Sequence, residues 1–409
     1  MVKTMQIVLG RFVRVVFVFA FFAPIVQAAQ AKTFLSDEYI QASRAALNHV
    51  YRIEYNQAIA AYKGLAKRYP EHPGPHLAGA VAHWLQELYL RQDFELDHFI
   101  SPSHFTKPTE RQMPEEEQRA FFAGIEECRK RAEKRLKEHP GDKEGRYYLG
   151  ALEGALGVFA FTIEHSYMKA LKHGKKAYQV QKAIIDEDPK FYDSYLTVGT
   201  YEYVLSNLPW YVKWIATIAG LRGNEARGFE NLILAAEKSR FVGNEARLLL
   251  MVLYVREEQY EYSLQMARQM HRRFPENFLF HLNQAQIYEA MRDQERAATT
   301  YLDVLRLADE RKRNYQLLPI GSFRFNVAQK LRSQGKIRLA LELYERAVED
   351  PRTLKRERTL SHLRAGEILD LLGQRADAMA QYREVQKFDD VEGAHKSASR
   401  FLKTPYRRQ

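Results

Sequence analysis

Eight small residues, Ala58, Cys128, Ala177, Gly228, Ser263, Ala297, Ala340 and Ala378, hold one place in eight copies of a single helical pattern. In the clearest copies (residues 294–309, 337–351 and 375–390) the small residue is followed four positions later by Tyr301, Tyr344 or Tyr382. Three positions further on come Val304, Ala347 or Val385. Offsets of four and seven fall on one helix face, so a recurrent small residue there marks the close approach of a second helix backbone. Twelve residues upstream lies another small residue in several copies: Ala46, Ala285, Ala328 and Gly366, with Gly199 in that role for Gly228. The chain therefore reads as a succession of helix pairs. Gly335 and Gly373 stand where the chain turns between the helices of a pair, a place where positive φ is cheap for Gly.

The steps from Gly228 to Ser263 and on to Ala297 are 35 and 34 residues, the tetratricopeptide period. On these residues the chain resembles tetratricopeptide-repeat (TPR) proteins, of an exported bacterial type, over residues 38–390. Residues 147–236 also resemble a TPR group of bacterial envelope proteins. The resemblance implies an all-α, TPR-like, right-handed superhelical solenoid of about eight helix pairs, with inserts in the N-terminal half. One insert, residues 91–117, carries Pro102, Pro108 and Pro114 and reads as a loop. A second, residues 154–168, is apolar and helix-compatible, and a third, residues 205–223, reads LSNLPWYVKWIATIAGLRG. The expected organisation is a signal peptide at 1–31, irregular TPR-like repeats at 32–240, regular repeats at 241–390, and a capping helix with a basic tail at 391–409. Arg135 departs from the pattern, because its face position is usually apolar.

Lys3, Arg11 and Arg14 precede an apolar run at 15–26, and an A-x-A arrangement ends at Ala31. Together they read as a secretory signal cleaved after Ala31 or Ala28, the run being well short of the ~20 residues a membrane span requires. No Asn begins an N-x-[ST] sequon, which favours a bacterial periplasm over a eukaryotic secretory route. The formal charge is +11. Basic residues cluster at Arg306, Arg311, Lys312 and Arg313, at Arg352, Lys355, Arg356 and Arg358, and at Lys403, Arg407 and Arg408. An exported protein seldom meets nucleic acid, so no nucleic-acid partner is expected. The clusters are solvated loops, or contacts for an anionic envelope polymer or membrane surface.

Signatures of catalysis are missing: there is no G-x-S-x-G, no G-x-x-x-x-G-K-[ST], no H-E-x-x-H and no G-x-G fingerprint. The reading is non-enzymatic, with no cofactor and no metal. His72, His76 and His83, with Glu87 a turn on, are spaced for one helix face, but Pro73 and Pro75 put a helix start there and packing is the plainer role. Cys128 is the lone cysteine, at a small-residue position, and reads as a packing group. Trp210, Tyr211, Trp214 and Ile218 make the third insert apolar nearly all round, so it is either buried against the repeats or a membrane- or partner-docking element.

In TPR proteins the first helix of each pair lines a concave groove that binds a peptide or a partner helix. Carried over to this chain, the resemblance implies a groove formed by Glu144, Tyr147, Asp193, Tyr203, Gln286, Glu289, Phe325, Gln329, Arg332, Glu367 and Asp370. The expected role is a periplasmic protein-interaction scaffold. The alternative is a peripheral membrane-associated envelope assembly factor docking through the Trp210 insert and the basic loops.

Overall fold

A computed structural model describes residues 37–91, 111–207 and 223–407, with Tyr167 through its backbone alone. The signal-like segment, residues 92–110 of the Pro-bearing insert and residues 208–222 of the Trp210 insert lie outside the described residues, as does Arg408. Among the described residues there are 17 α-helices and no strand. The chain divides into two compact units, Met1–Phe274 and Pro275–Gln409.

Unit 1 contains five consecutive helix pairs. They are α1 (Asp37–Tyr51) with α2 (Tyr55–Arg68), α3 (Gly74–Leu90) with α4 (Glu115–Glu138), α5 (Lys143–Thr162) with α6 (Tyr167–Glu187), α7 (Ser194–Ser206) with α8 (Glu225–Lys238), and α9 (Gly243–Arg256) with α10 (Tyr260–Arg273). Unit 2 contains three: α11 (Phe278–Ala290) with α12 (Gln294–Asp309), α13 (Ile320–Ser333) with α14 (Ile337–Glu349), and α15 (Lys355–Leu371) with α16 (Arg375–Val385), followed by α17 (Ala394–Lys403). Within each unit every helix packs on the next. This is the TPR-like, all-α repeat of helix pairs, eight among the described residues. The apolar stretch after Gly154 extends α5, whose Phe159 stacks on Phe121 of α4 at 4.2 Å.

One turn recurs between the helices of a pair. At Glu54, Gln259, Asp293, Lys336 and Gln374 the backbone N–H donates to the carbonyl five residues back, at 2.7–2.9 Å, closing the last turn in a Schellman motif. The residue just before each donor is left-handed: Ile53, Glu258, Arg292, Gly335 and Gly373. Only two of the five are glycine. The other three carry a side chain where L-residues pay a steric cost, so packing of the flanking helices imposes the turn whatever residue occupies it.

All eight small residues lie on the second helix of their pair and are buried. A Cβ on Gly199 would lie 2.8 Å from the Gly228 carbonyl oxygen, and one on Gly228 would lie 2.9 Å from the Tyr203 nitrogen, so the α7 and α8 backbones touch there. Ser263 uses its hydroxyl in the same contact, donating to the Met251 carbonyl at 2.6 Å. Cys128 is fully buried, and burial raises its thiol pKa, so it serves as a small apolar group.

The interior of unit 1 is closed by its own first pair. Tyr51, at the end of α1, donates to the Glu245 carboxyl on α9, and its ring lies 4.8 Å from Phe274. Arg44 donates to the Arg240 carbonyl at 3.0 Å and stands 5.6 Å from the Phe241 ring. Burial pushes the Glu245 carboxyl from 4.5 up to about 8, with Asp193 raising it further and Tyr51, its backbone and Arg247 opposing. Gln181 satisfies polar groups from two further helices, donating to the Tyr147 carbonyl at 3.0 Å and accepting from Ser194 at 2.6 Å. Arg135, the departure from the apolar pattern, is buried and paired with Asp142 at 2.6 Å and with Glu144.

Two outcomes follow. Ala297→Trp forces an indole into a fully buried helix contact and is expected to cost at least ~1–3 kcal/mol. An unchanged thermal midpoint would refute the register. The second concerns pH. The folded pKa of Glu245 is raised, so its contribution is complete below the unfolded value of 4.5 and is lost as pH rises towards 8. His72 and His76 are shifted down by burial and act oppositely, but only below their ordinary value of 6.5. Between pH 6.5 and 8 the protein should therefore lose stability on the order of 2 kcal/mol through Glu245, read as a falling urea midpoint. Glu245→Gln should flatten that slope.

Candidate partner-binding site

The four groove residues expected in unit 1 are internal. Glu144 accepts from Arg135 and lies 3.5 Å from His72 Nε2. Tyr147 is buried against Phe191, at 5.6 Å between rings. Asp193 accepts the backbone N–H groups of Arg240, Phe241 and Val242 at 2.9–3.2 Å, joining the start of α7 to the turn before α9, and burial raises its pKa. Tyr203 is fully buried and donates to Glu257 at 2.7 Å. None presents itself to a partner, because each is buried and engaged by neighbouring helices and turns of the unit.

Unit 2 divides the remaining expected residues. Phe325 is 2 % exposed, its ring tilted 5.9 Å from that of Tyr344, so it is core and offers no apolar area to a ligand. Gln286 is buried too. Glu289 accepts from Lys330 at 2.8 Å and from Tyr301 at 2.8 Å. Asp370 accepts from Arg375 at 3.0 Å and from Tyr382 at 2.9 Å. The continuous strip expected from Gln286, Glu289, Phe325, Gln329 and Arg332 is thus interrupted. Of these five, Gln329 and Arg332 line a cavity.

That cavity, about 370 Å³ and open to solvent, is lined by Gln329, Arg332, Ser333, Ile337, Tyr344, Arg364, Leu371 and Tyr406. Two guanidinium groups there share one carboxylate. Glu367, 3 % exposed, is 2.6 Å from Arg332 and 2.9 Å from Arg364. The excess charge of the site is positive. Ile337 and Leu371 supply apolar wall.

The repeat explains a further donor. Tyr301, Tyr344 and Tyr382 each stand four residues after a small residue, which aims the hydroxyl at the residue twelve positions earlier on the preceding helix. In two copies that residue is a carboxylate: Tyr301 donates to Glu289 and Tyr382 to Asp370. In the middle copy it is Arg332, which has no acceptor. The buried Tyr344 hydroxyl has no hydrogen-bond partner, and Arg332 beside it cannot take its proton. Arg332 and Arg364 converge as donors on one cavity, with Tyr344 buried in its wall beside Arg332. Arg364 and Tyr344 were missing from the sequence-based site. Arg364 sits one turn before the expected row on α15, and the signal for Tyr344 was the exchange of a carboxylate for Arg332 in an otherwise repeated pair.

The other candidates disperse. Among the described residues no three His, Cys, Asp or Glu side chains gather as a metal site. His72 accepts the Gly74 N–H at 3.0 Å, His83 pairs with Glu117 at 2.6 Å, and Glu87 pairs with Arg91 at 2.9 Å and Arg111 at 3.0 Å. Burial lowers His76 to about 4. Three residues of the basic clusters are in ion pairs at the surface. Arg306 binds Asp303 and Glu310, Arg352 binds Asp350, and Arg356 binds Glu392. Among the described residues no helix is long and apolar enough to cross a membrane.

No family model and no curated protein matches the chain. Solved structures similar to it include the human IFIT1 dimer with PPP-AAAA, at 14% identity over 91% of this chain and 82% of that one, TM-score 0.33. The yeast Tom70 structure is similar at 14% identity over 90% and 89%, TM-score 0.31. The P58(IPK) TPR domain is similar at 13% identity over 91% and 100%, TM-score 0.21. Similarity at this level carries neither a residue nor a ligand over to this chain.

Proposed function

We propose that the protein is a non-enzymatic interaction scaffold, exported to the bacterial periplasm, that holds an acidic segment of a protein partner in the unit 2 cavity. The export reading rests on residues 1–31, with their basic start, short apolar run and A-x-A end. The binding reading rests on one observation: Arg332 and Arg364 line the same opening and have only Glu367 between them as a shared carboxylate. An Asp or Glu side chain supplies two acceptor oxygens and a negative charge to match the positive charge that Glu367 leaves uncompensated. Guanidinium forks bind such a group in the strong, charge-assisted mode. Leu371 and Ile337 accept a neighbouring apolar side chain.

A fluorescein-labelled peptide of alternating Glu and Leu tests the reading by anisotropy. Arg364→Ala should weaken its binding by ~1.5–3 kcal/mol, the worth of a charged hydrogen bond, whereas Tyr344→Phe, which removes a buried hydroxyl, should leave it unchanged. Exchanging Glu for Gln in the peptide should abolish most of the affinity. Equal binding of the Gln peptide would overturn the proposal. N-terminal sequencing of the exported protein is expected to return Lys32 or Ala29, and recovery of Met1 would overturn the export reading.

A further inference from the structure

One wall of the cavity is made by the chain itself, beyond its last described helix. α17 ends at Lys403, where the Thr404 N–H closes on the Arg400 carbonyl at 2.9 Å. Its last turn is pinned by Arg375, whose Nη2 donates to the carbonyls of Phe401 and Leu402 at 2.7 and 2.9 Å. Residues 404–407 then run on without helical structure and carry Tyr406 to the cavity. Three contacts hold Tyr406. Its N–H donates to Asp370 Oδ2 at 2.7 Å, its ring stands edge-on to Phe401 at 5.2 Å, and its hydroxyl lies 3.4 Å from Arg332 Nη2. The Arg332 guanidinium is 5.9 Å from the same ring.

The strength of these contacts is uneven. The end of α17 is fixed by two short hydrogen bonds from a charged group, whereas beyond Thr404 the strap is held through Tyr406, by one backbone hydrogen bond and by its half-buried ring packed on the Phe401 cluster, while Thr404, Pro405 and Arg407 are exposed. The contact to Arg332 is long for a hydrogen bond. Segments with few buried contacts and exposed backbone open locally at low cost. Arg332 meanwhile is the residue that an incoming carboxylate needs, and the Tyr406 hydroxyl stands against it.

We propose that residues 404–407 are a displaceable strap, with Tyr406 covering the Arg332 side of the cavity until an acidic ligand takes its place. This rests on the reading of the cavity as a site for acidic peptide. The phenol is a neutral stand-in at Arg332: it offers the guanidinium a single oxygen and a ring face, where a carboxylate offers two oxygens and a charge. A binding-competent state that is only fractionally populated lowers the apparent affinity by that fraction. The strap therefore sets a threshold on ligand charge, admitting acidic segments and turning away neutral ones. Its pivot lies at Thr404 and Pro405, between the pinned helix end and Tyr406.

The experiment uses the full chain and the same labelled Glu–Leu peptide. Tyr406→Ala should tighten binding by about tenfold, as expected when a state open one time in ten becomes permanently open. Hydrogen exchange supplies a reading independent of affinity. The Tyr406 amide, protected by Asp370 in the free protein, should exchange faster when peptide is added to the wild type. Binding that is unchanged or weakened in Tyr406→Ala, with the wild-type site intact, overturns the strap and leaves the acidic-peptide reading standing. So does slower exchange at Tyr406 on adding peptide, which would make the tyrosine part of the binding surface. Failure of the peptide to bind either protein overturns the acidic-peptide reading and the strap with it.

Discussion

Each helix pair closes where two backbones come too close for a large side chain between them, and the rest of the architecture takes its register from that contact. At Gly199 and Gly228 the approach leaves no room for a Cβ on either side. At Ala297, Ala340 and Ala378 a methyl group fills it completely. Once the small residue is seated, the helical repeat puts the residue four positions on over the preceding helix. That is why the hydroxyls of Tyr301 and Tyr382 reach Glu289 and Asp370. The cavity in unit 2 descends from the same geometry, since Tyr344 is delivered to Arg332 by a contact made at Ala340.

The two units use one repeat to opposite ends. In unit 1 the polar side chains are turned to internal work: Asp193 takes three backbone donors, Glu144 takes Arg135, and Gln181 on α6 joins α5 and α7. Burying such groups is tolerable only when they are paired, and the pairing removes them from any partner. In unit 2 the pairing is deliberately short by one acceptor. Two arginines share Glu367, and the tyrosine that elsewhere donates to a carboxylate meets a third kind of neighbour.

What was legible in the chain follows from the range of the interaction. The small residues, their upstream partners and the eight pairs are local, periodic signals, and the helices stand where those signals place them. The turns at Ile53, Glu258 and Arg292 carried no such mark, because packing imposes a left-handed residue there without needing glycine. Phe325 was misplaced because a face position inherited from a family says nothing of how deep the ring sinks beside Tyr344. Closure of unit 1 was invisible for a different reason: Tyr51 and Glu245 meet through side chains on helices that no period relates. The cavity was half legible, through Gln329 and Arg332. Arg364 lies off the expected row, and the meaning of Tyr344 emerges only when its hydroxyl is compared with those of Tyr301 and Tyr382.

The bond from Tyr51 to Glu245 joins residues 194 positions apart. A stack of helix pairs ordinarily folds by neighbour-to-neighbour growth, each pair needing only the one before it. Here the first pair cannot complete its burial until the fifth exists. During synthesis α1 emerges early and packs on α2, but its Tyr51 must wait most of two hundred further residues for Glu245. The closing step carries the loop entropy of that whole span, growing only slowly with length, yet it is the kind of distant contact that slows folding. In a chain cut short of α9, Tyr51 would lack the carboxyl it bonds and the ring it packs on.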